Sequence, residues 1–412
     1  MQKHAEGVTF EEEAPKITKY QWQTLWASMI GYAMDGLDMM ILAFTMPLII
    51  AFYGINAAEA GSLSTITLLG AVIGGLVFGV MADKYGRVRV FTWTILIFSV
   101  FTGLCAFAPN METFALFRFL AGLGLGGEFG IGMTLVSEAW HSKYRARATA
   151  FVATGFQFGT VLATLTVLFI APKFGWQGVF LAGVLPAIFA YWSRRNLEEP
   201  DVWKKLKSEN KNKVAIGKLF SSTKTKKATI GLIIATSVQN FGFYGIMTWM
   251  PTMLAMELGL SLNGTTVWTV ITIVGMLIGV MVFGFLCDKI GRKPSYIIFL
   301  VAASAIVWVY FQQTSITSLL ILAGFLGFFV NGMMGGYGAL LAEHYPTEVR
   351  STAENVIFNI GRGIAGFAPL IIGYLSLAHS LSYALGLISG VYLLSALAFI
   401  FLIPETKGVE LE

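Results

Sequence analysis

The sequence predicts an all-α membrane protein of twelve transmembrane helices, arranged as two pseudo-symmetric six-helix bundles. Three observations predict it. Of 412 residues, 56% are hydrophobic and only 12% charged, and the mean hydropathy of +0.71 is far too high for a soluble chain. The basic residues fall almost entirely on one side of a twelve-span reading. The chain also repeats itself at a constant offset, so its second half restates its first.

Apolar runs place the spans at about 25–50, 62–82, 90–108, 113–137, 148–170, 176–192, 228–253, 264–287, 295–312, 316–341, 351–375 and 381–403. The expected organisation is an N-terminal tail (1–24), a first bundle (25–192), a linker (193–227), a second bundle (228–403) and a C-terminal tail (404–412). No short apolar segment with a small-residue cleavage site precedes the first span, so no cleaved signal peptide is expected. With the N-terminus cytoplasmic, 25 of the 28 Lys and Arg lie inside, Lys173 lies outside, and Arg118 and Arg362 fall within spans. That asymmetry predicts a multi-pass protein of the cell membrane with both termini in the cytoplasm. The net charge of +5 then reflects topology and attraction to anionic headgroups; a nucleic-acid partner is not expected from basic loops this scattered. Cys105 and Cys287 sit at opposite ends of their spans and cannot pair.

The repeat is sharpest in one loop. Gly79-Val-Met-Ala-Asp83-Lys84-Tyr-Gly86-Arg87 recurs 205 residues later as Gly284-Phe-Leu-Cys-Asp288-Lys289-Ile-Gly291-Arg292. Gly70 and Gly275, Gly74 and Gly279, Gly122 and Gly327, Glu138 and Glu343, and Arg145 and Arg350 keep the same offset. The linker carries Trp203-Lys-Lys-Leu, expected as a helix on the inner face. The repeated loop resembles the cytoplasmic loop signature of the major facilitator superfamily, and Arg118-Phe-Leu-Ala-Gly122-Leu-Gly124-Leu-Gly126-Gly127 resembles its span-4 motif. The resemblance covers the whole chain. It implies a transporter with gates of charge pairs: Asp83, Arg87, Asp288 and Arg292, partnered by Glu138 with Arg145 and Glu343 with Arg350. Topology alone is the competing reading of the basic loop residues, but it gives no reason for Asp and Gly at fixed places.

Within the spans, charge marks the site. Asp35 and Asp38 lie near the middle of span 1 and share a helical face. A carboxylate facing lipid costs at least about 2.5–3.5 kcal/mol, so this face must look into protein or a wet cavity. The offset matches Asp35 with Asn240 and Gln157 with Arg362, all near mid-span, where two such bundles bind their cargo. Arg362 offers a planar fork suited to a carboxylate and stays charged when buried. It reads as a clamp for an anionic substrate; a structural ion pair with an acidic side chain is the alternative. An empty site must be wet or already hold that acidic partner. Arg118 and Glu128 lie roughly 15 Å apart along span 4, and the glycines between them are expected to admit span 1, bringing Asp35 or Asp38 to Arg118. Asp38 and Arg118 read as a proton-coupling pair, because a carboxylate whose Arg leaves and returns can gain and lose a proton. Glu128 is a second carrier candidate, with a satisfied structural carboxylate as its alternative. Tyr32, Phe156, Phe241, Tyr244, Trp249, Asn331 and Tyr337 are candidate cavity lining, with packing the better expectation for any single Phe or Trp. Trp26, Trp176, Trp192 and Trp268 suit an interfacial belt.

Gly31-Tyr-Ala-Met-Asp35-Gly36-Leu-Asp38 resembles the span-1 signature of aromatic acid:H+ symporters and the related sialate:H+ symporters. In the aromatic acid branch the resemblance implies functional roles for Asp35, Asp38, Arg118, Glu138 and Arg362. Gly127-Glu128-Phe129-Gly130, Glu138-Ala-Trp140 and Gly175-Trp176 look more like the sialate branch. Pro404-Glu405-Thr406-Lys407-Gly408 resembles the tail of sugar porters, yet the span-1 aspartates argue against a neutral sugar. Both close branches imply a small organic acid moved with protons; a monomer in the lipid bilayer is expected. A drug exporter or a transport-like receptor for an acid stays open. No nucleophile set, metal-ligand spacing around His141 or His344, or cofactor fingerprint points to an enzyme, a metal or a cofactor.

Overall fold

The computed structural model describes residues 17–55, 57–184, 188, 191–192, 194–195, 197–208, 216–256, 259 and 262–411. Most of the expected N-terminal tail, parts of the linker and parts of span 6 lie outside the described residues. Among those described there are helices and no strands.

The first bundle is built from α1 (Lys19–Tyr53), α2 (Ala57–Tyr85), α3 (Arg87–Cys105), α4 (Met111–Ala139), α5 (Ser142–Ala153) and α6 (Gly155–Ala182). A short helix α7 (Asp201–Ser208) belongs to the linker. The second bundle has α8 (Thr223–Met256), α9 (Leu262–Ile290), α10 (Arg292–Tyr310), α11 (Ile316–Gly332), α12 (Tyr337–Ala342), α13 (Arg350–Ala365), α14 (Ala368–Ala378), α15 (Leu381–Gly386) and α16 (Ile388–Phe401). Among the described residues ten helical runs are long and apolar enough to cross a membrane. Two of the twelve spans are hidden in that number for structural reasons. Spans 5 and 6 run together through 142–182, broken by Gly175 at φ 65° after Pro172, and span 11 is divided between α13 and α14.

Helix ends follow local chemistry. α1 starts at Lys19, earlier than its apolar run, because Thr18 and Gln21 form a reciprocal capping box. Asn110 caps α4 through Thr113 N–H. The two repeated loops turn at Gly86 (φ 118°) and Gly291 (φ 111°), conformations that side chains resist. Each leaves the next helix's first amides free, and a distant carboxylate fills them. Glu199 accepts from Val88 and Arg89 N–H at 3.1 Å each, and Glu405 from Arg292 and Lys293 N–H at 2.9 and 3.0 Å. The repeat thus extends to helix caps that no local pattern reveals.

Within each bundle, span 2-type and span 4-type helices touch backbone to backbone. A Cβ on Gly122 would strike the Thr67 carbonyl, and one on Gly327 the Thr272 carbonyl, the same contact 205 residues on. The span-4 glycines therefore receive α2 and α3 (Gly124 lies on Thr94 and Phe98), correcting the expectation that they admit span 1. Small residues drive such approaches in membranes because lipid gives helices no hydrophobic reason to associate.

Two members of the expected aromatic belt are interior. Trp176 is buried against Phe52, Tyr53, Phe114 and Phe180, and Trp268 is buried with its indole donating to Tyr310 Oη at 2.8 Å. Trp26 and Trp192 are exposed, as a lipid-interface position requires. Proximity to a span end is the same for both kinds; only packing separates them.

Candidate functional site

The two halves meet over a small central cavity. Spans 1 and 5 contribute Tyr32, Ala153, Phe156 and Gln157; spans 7, 10 and 11 contribute Gln239, Asn240, Phe243, Tyr244, Asn331, Met334, Phe358 and Arg362. The cavity thus gathers Arg362, Gln157, Asn240, Asn331, Tyr32, Tyr244 and Phe156 from those named in the sequence. With its amide oriented to satisfy both partners, Gln157 accepts from Asn331 Nδ2 at 2.9 Å across the bundle boundary. Phe156 meets Phe243 edge-on across the same boundary, ring centres 6.4 Å apart.

Three residues do not line it. Tyr337 is buried inside the second bundle, with its hydroxyl donating to Ala235 O at 2.8 Å and its ring against Tyr296. Trp249 packs over Gly373, and Phe241 stands outside the lining although its neighbours Gln239, Asn240 and Phe243 are in it. The helical phase explains Phe241: on α8, positions 239, 240, 243 and 244 share one face and 241 does not. That phase was legible, and Gln239 and Phe243 on the same face were missed with it; Met334 and Phe358 carried no polar signal and were missed too.

Arg362 Nη1 lies 3.3 Å from Asp35 Oδ2, joining span 11 to span 1. Both side chains are buried, and the second oxygen of Asp35 and Nη2 of Arg362 have no protein partner. Asp38, one turn on, is held within the first bundle. Arg118 grips it with Nη1 at 3.1 Å and Nη2 at 2.8 Å, and Thr102 adds a hydroxyl bond. The two aspartates therefore have different arginines: one across the bundles, one within.

Glu128 faces neither the cavity nor Arg118. Arg194 pairs with it at 2.8 Å, Thr94 Oγ1 donates to it at 2.6 Å, and the Arg194 guanidinium lies over the Phe91 ring at 3.3 Å. This is the geometry of the satisfied structural carboxylate that the sequence offered as the alternative for Glu128. Arg194, at the start of the linker, counted as one more inside charge in the sequence; its burial could not be read there.

On the side of the repeated loops the bundles are clasped shut. Glu138 accepts from Arg87 at 3.1 and 3.2 Å and from Arg350 at 2.7 Å. Glu343 accepts from Arg292 at 2.7 and 3.0 Å and from Arg145 at 2.9 Å. Each glutamate thus holds one arginine from its own half and one from the other. Asp83 accepts from Ser351 and Thr352 N–H at 3.2 and 2.8 Å, and Asp288 from Ala146 and Arg147 N–H at 3.2 and 3.1 Å, again 205 apart. Asp83 caps the first turn of α13 in the opposite half, where the dipole favours an anion, and Asp288 meets amides one turn into α5. Arg147, absent from the sequence-derived set, adds a 3.0 Å pair to Asp288. The linker and tail join in: Trp203 Nε1 donates to Asp83 O at 2.9 Å, and Thr406 Oγ1 to Glu343 at 2.7 Å.

A closed charge clasp on one side, a midplane cavity and matched halves are the parts of a carrier, and the comparisons agree. A protein of Haemophilus influenzae assigned to metabolite transport is 48% identical over 96% of this chain and 99% of its own length. The sialic acid transporter NanX of Escherichia coli is 30% identical over 90% and 91%, and the cis,cis-muconate transport protein of Acinetobacter baylyi 28% over 95% and 97%. A solved structure of the proton:xylose symporter XylE superposes with a TM-score of 0.81 at 18% identity, over 95% of this chain and 98% of that one; at that identity it speaks for the fold. The family model of the Major Facilitator Superfamily matches residues 28–280 and 257–411, and the chain belongs to that superfamily.

Proposed function

We propose that the protein is a secondary active transporter that carries a small organic acid anion together with a proton, by alternating access between the two bundles. The observation that carries this reading is the Asp35–Arg362 pair, half satisfied at the edge of the cavity. A substrate carboxylate arriving there meets a guanidinium with an unspent N–H, and it competes with Asp35 for the rest of the fork. An aspartate displaced from its arginine in a dry site is disfavoured as an anion and takes up a proton. Binding of the acid and binding of H+ thereby assist each other. Asp38 and Arg118 provide the second half of the coupling: their bond must loosen if span 1 moves against span 4.

The amides Gln157, Asn240 and Asn331 and the phenols Tyr32 and Tyr244 supply neutral polar contacts, and Phe156, Phe243 and Phe358 an apolar floor, which suits an acid with an unsaturated or ring-like body. The relatives named for muconate and sialic acid transport support an organic acid as cargo. The clasp of Glu138 and Glu343 is the gate on the loop side, and the basic-residue asymmetry supports a cytoplasmic position for it.

Uptake into proteoliposomes tests the reading. An imposed inward proton gradient is expected to drive a labelled small carboxylate above equilibrium, and collapsing the gradient to leave only equilibration. Accumulation indifferent to the proton gradient, or purified protein whose thermal stability no small carboxylate alters, would overturn it.

A further inference from the structure

Glu354 on α13 is fully buried, and neither carboxylate oxygen has a hydrogen-bond donor. It takes no part in the clasp or the cavity described above. Its surroundings offer an anion little. Arg350, one turn earlier on the same helix, spends Nη1 on Glu138 at 2.7 Å and Nε on Ala342 O at 3.1 Å. From α4 it is faced by Glu138 and by the Thr134 hydroxyl, itself without another partner, and from α2 by Asp83. Along α8 no acidic or basic side chain occurs between Ala228 and Met256, and α12 brings Tyr337, whose hydroxyl is bonded to Ala235 O. Toward the cavity, Phe358 stacks on Phe129 at 3.7 Å between ring centres. Two like charges, one cation already engaged elsewhere and a single neutral hydroxyl make a poor site for a carboxylate ion and an acceptable one for a neutral acid, which needs no counter-ion.

The repeat sharpens the point. Asp83, Arg87, Glu138 and Arg145 of the clasp have like counterparts 205 positions away, whereas Arg147 is matched by Thr352 and Glu354 by Thr149, which bonds to the carbonyls of Arg145 and Ala146. A group needed to close the gate would be expected in both halves; this one is added to one.

We propose that Glu354 is a proton-binding site tied to the loop-side gate: protonated while Glu138 holds Arg350, and ionised when the gate opens. Opening separates α13 from α2 and α4, frees Arg350 from Glu138, and admits water to a carboxyl one turn away from that freed cation. Closing requires the proton to return. Acidity on the loop side therefore favours the closed gate. The inference uses the two-bundle gate but neither the identity of the cargo nor its coupling to protons.

Two signals recorded on full-length protein in lipid nanodiscs, without substrate, test it. Spin labels at Arg89→Cys and Lys289→Cys, exposed positions on the repeated loops, report the distance between the bundles. The infrared carbonyl stretch of a buried protonated carboxylic acid reports the proton. With Glu354 present, raising the pH is expected to remove the band and the short-distance population together. In Glu354→Gln the band should be gone at every pH and the short distance should persist at high pH, while Glu354→Asp should restore both titrations. A short-distance population with no protonated-acid band before any substitution overturns the proposal, as does a gate that titrates identically in Glu354→Gln. Neither signal involves transport, so failure of the organic-acid reading leaves this result standing, and the reverse.

Discussion

Arg362 reaches from one bundle to Asp35 of the other, Nη1 to Oδ2 at 3.3 Å, and leaves Nη2 unbonded at the cavity. This pair is a latch between the halves that a carboxylate ligand can take over.

Replacing Arg362 by Ala should abolish stabilisation by the acid. Arg362→Lys keeps the charge but loses the fork, and charge-assisted bonds contribute about 1.5–3 kcal/mol, so affinity is expected to fall by roughly ten- to a hundredfold. Calorimetric titration with the best-stabilising carboxylate measures both; unchanged affinity in either variant removes Arg362 from the binding site.

Asp38→Asn should leave substrate exchange across the membrane and end proton-driven accumulation. It also strands Arg118, so melting temperature should drop, since breaking a buried pair costs about 3–5 kcal/mol. Adding Arg118→Gln should recover part of that stability. If accumulation persists in Asp38→Asn, the coupling role belongs elsewhere.

Glu343→Gln releases Arg292 and Arg145 together and should open the loop side. The native Cys287, buried where α9 meets α5, is the reporter, with Cys105→Ser leaving it as the sole thiol. Removing one partner from a buried ionic cluster shifts equilibria by several kcal/mol, so maleimide labelling should speed up by about tenfold or more. Glu138→Gln should act alike; equal rates in all three proteins would mean the clasp is not the gate.

Glu199→Ala and Glu405→Ala each remove the cap of a third helix. Caps contribute about 0.5–2 kcal/mol, and the matched geometry predicts similar losses, measured as urea or thermal midpoints in detergent. A large effect in one variant and none in the other would contradict the equivalence of the two halves.

With one proton per monoanion the cycle moves no net charge. Uptake should follow a pH gradient and ignore a potassium-diffusion voltage, a comparison made on the same vesicles. Current on adding substrate would require more than one proton per anion.

The charges of the clasp were legible in the sequence apart from Arg147, because the 205-residue repeat puts the same charges in the same places; which glutamate takes which arginine was not, since the structure crosses the expected pairs to Glu138–Arg350 and Glu343–Arg145. The cavity was legible in part: polar residues at mid-span must face inward, which gave Arg362, Gln157, Asn240 and Asn331, while Met334 and Phe358 carried no such mark. Tyr337 misled because a buried phenol can satisfy itself on a backbone carbonyl as well as on a ligand.

By itself the sequence determined that the chain is membrane-embedded, that it folds as two like halves, and which charges stand at mid-depth, since hydrocarbon penalises exposed polarity regardless of context. Asp38 with Arg118 was expected from the sequence; only the tertiary structure decided the other pairings, Asp35 with Arg362 across the halves and Glu128 with Arg194 within one, and left Glu354 with no cation of its own. Pairing depends on helix rotation and on which helices touch. Those are set by small-residue contacts from distant parts of the chain, and linear spacing does not encode them.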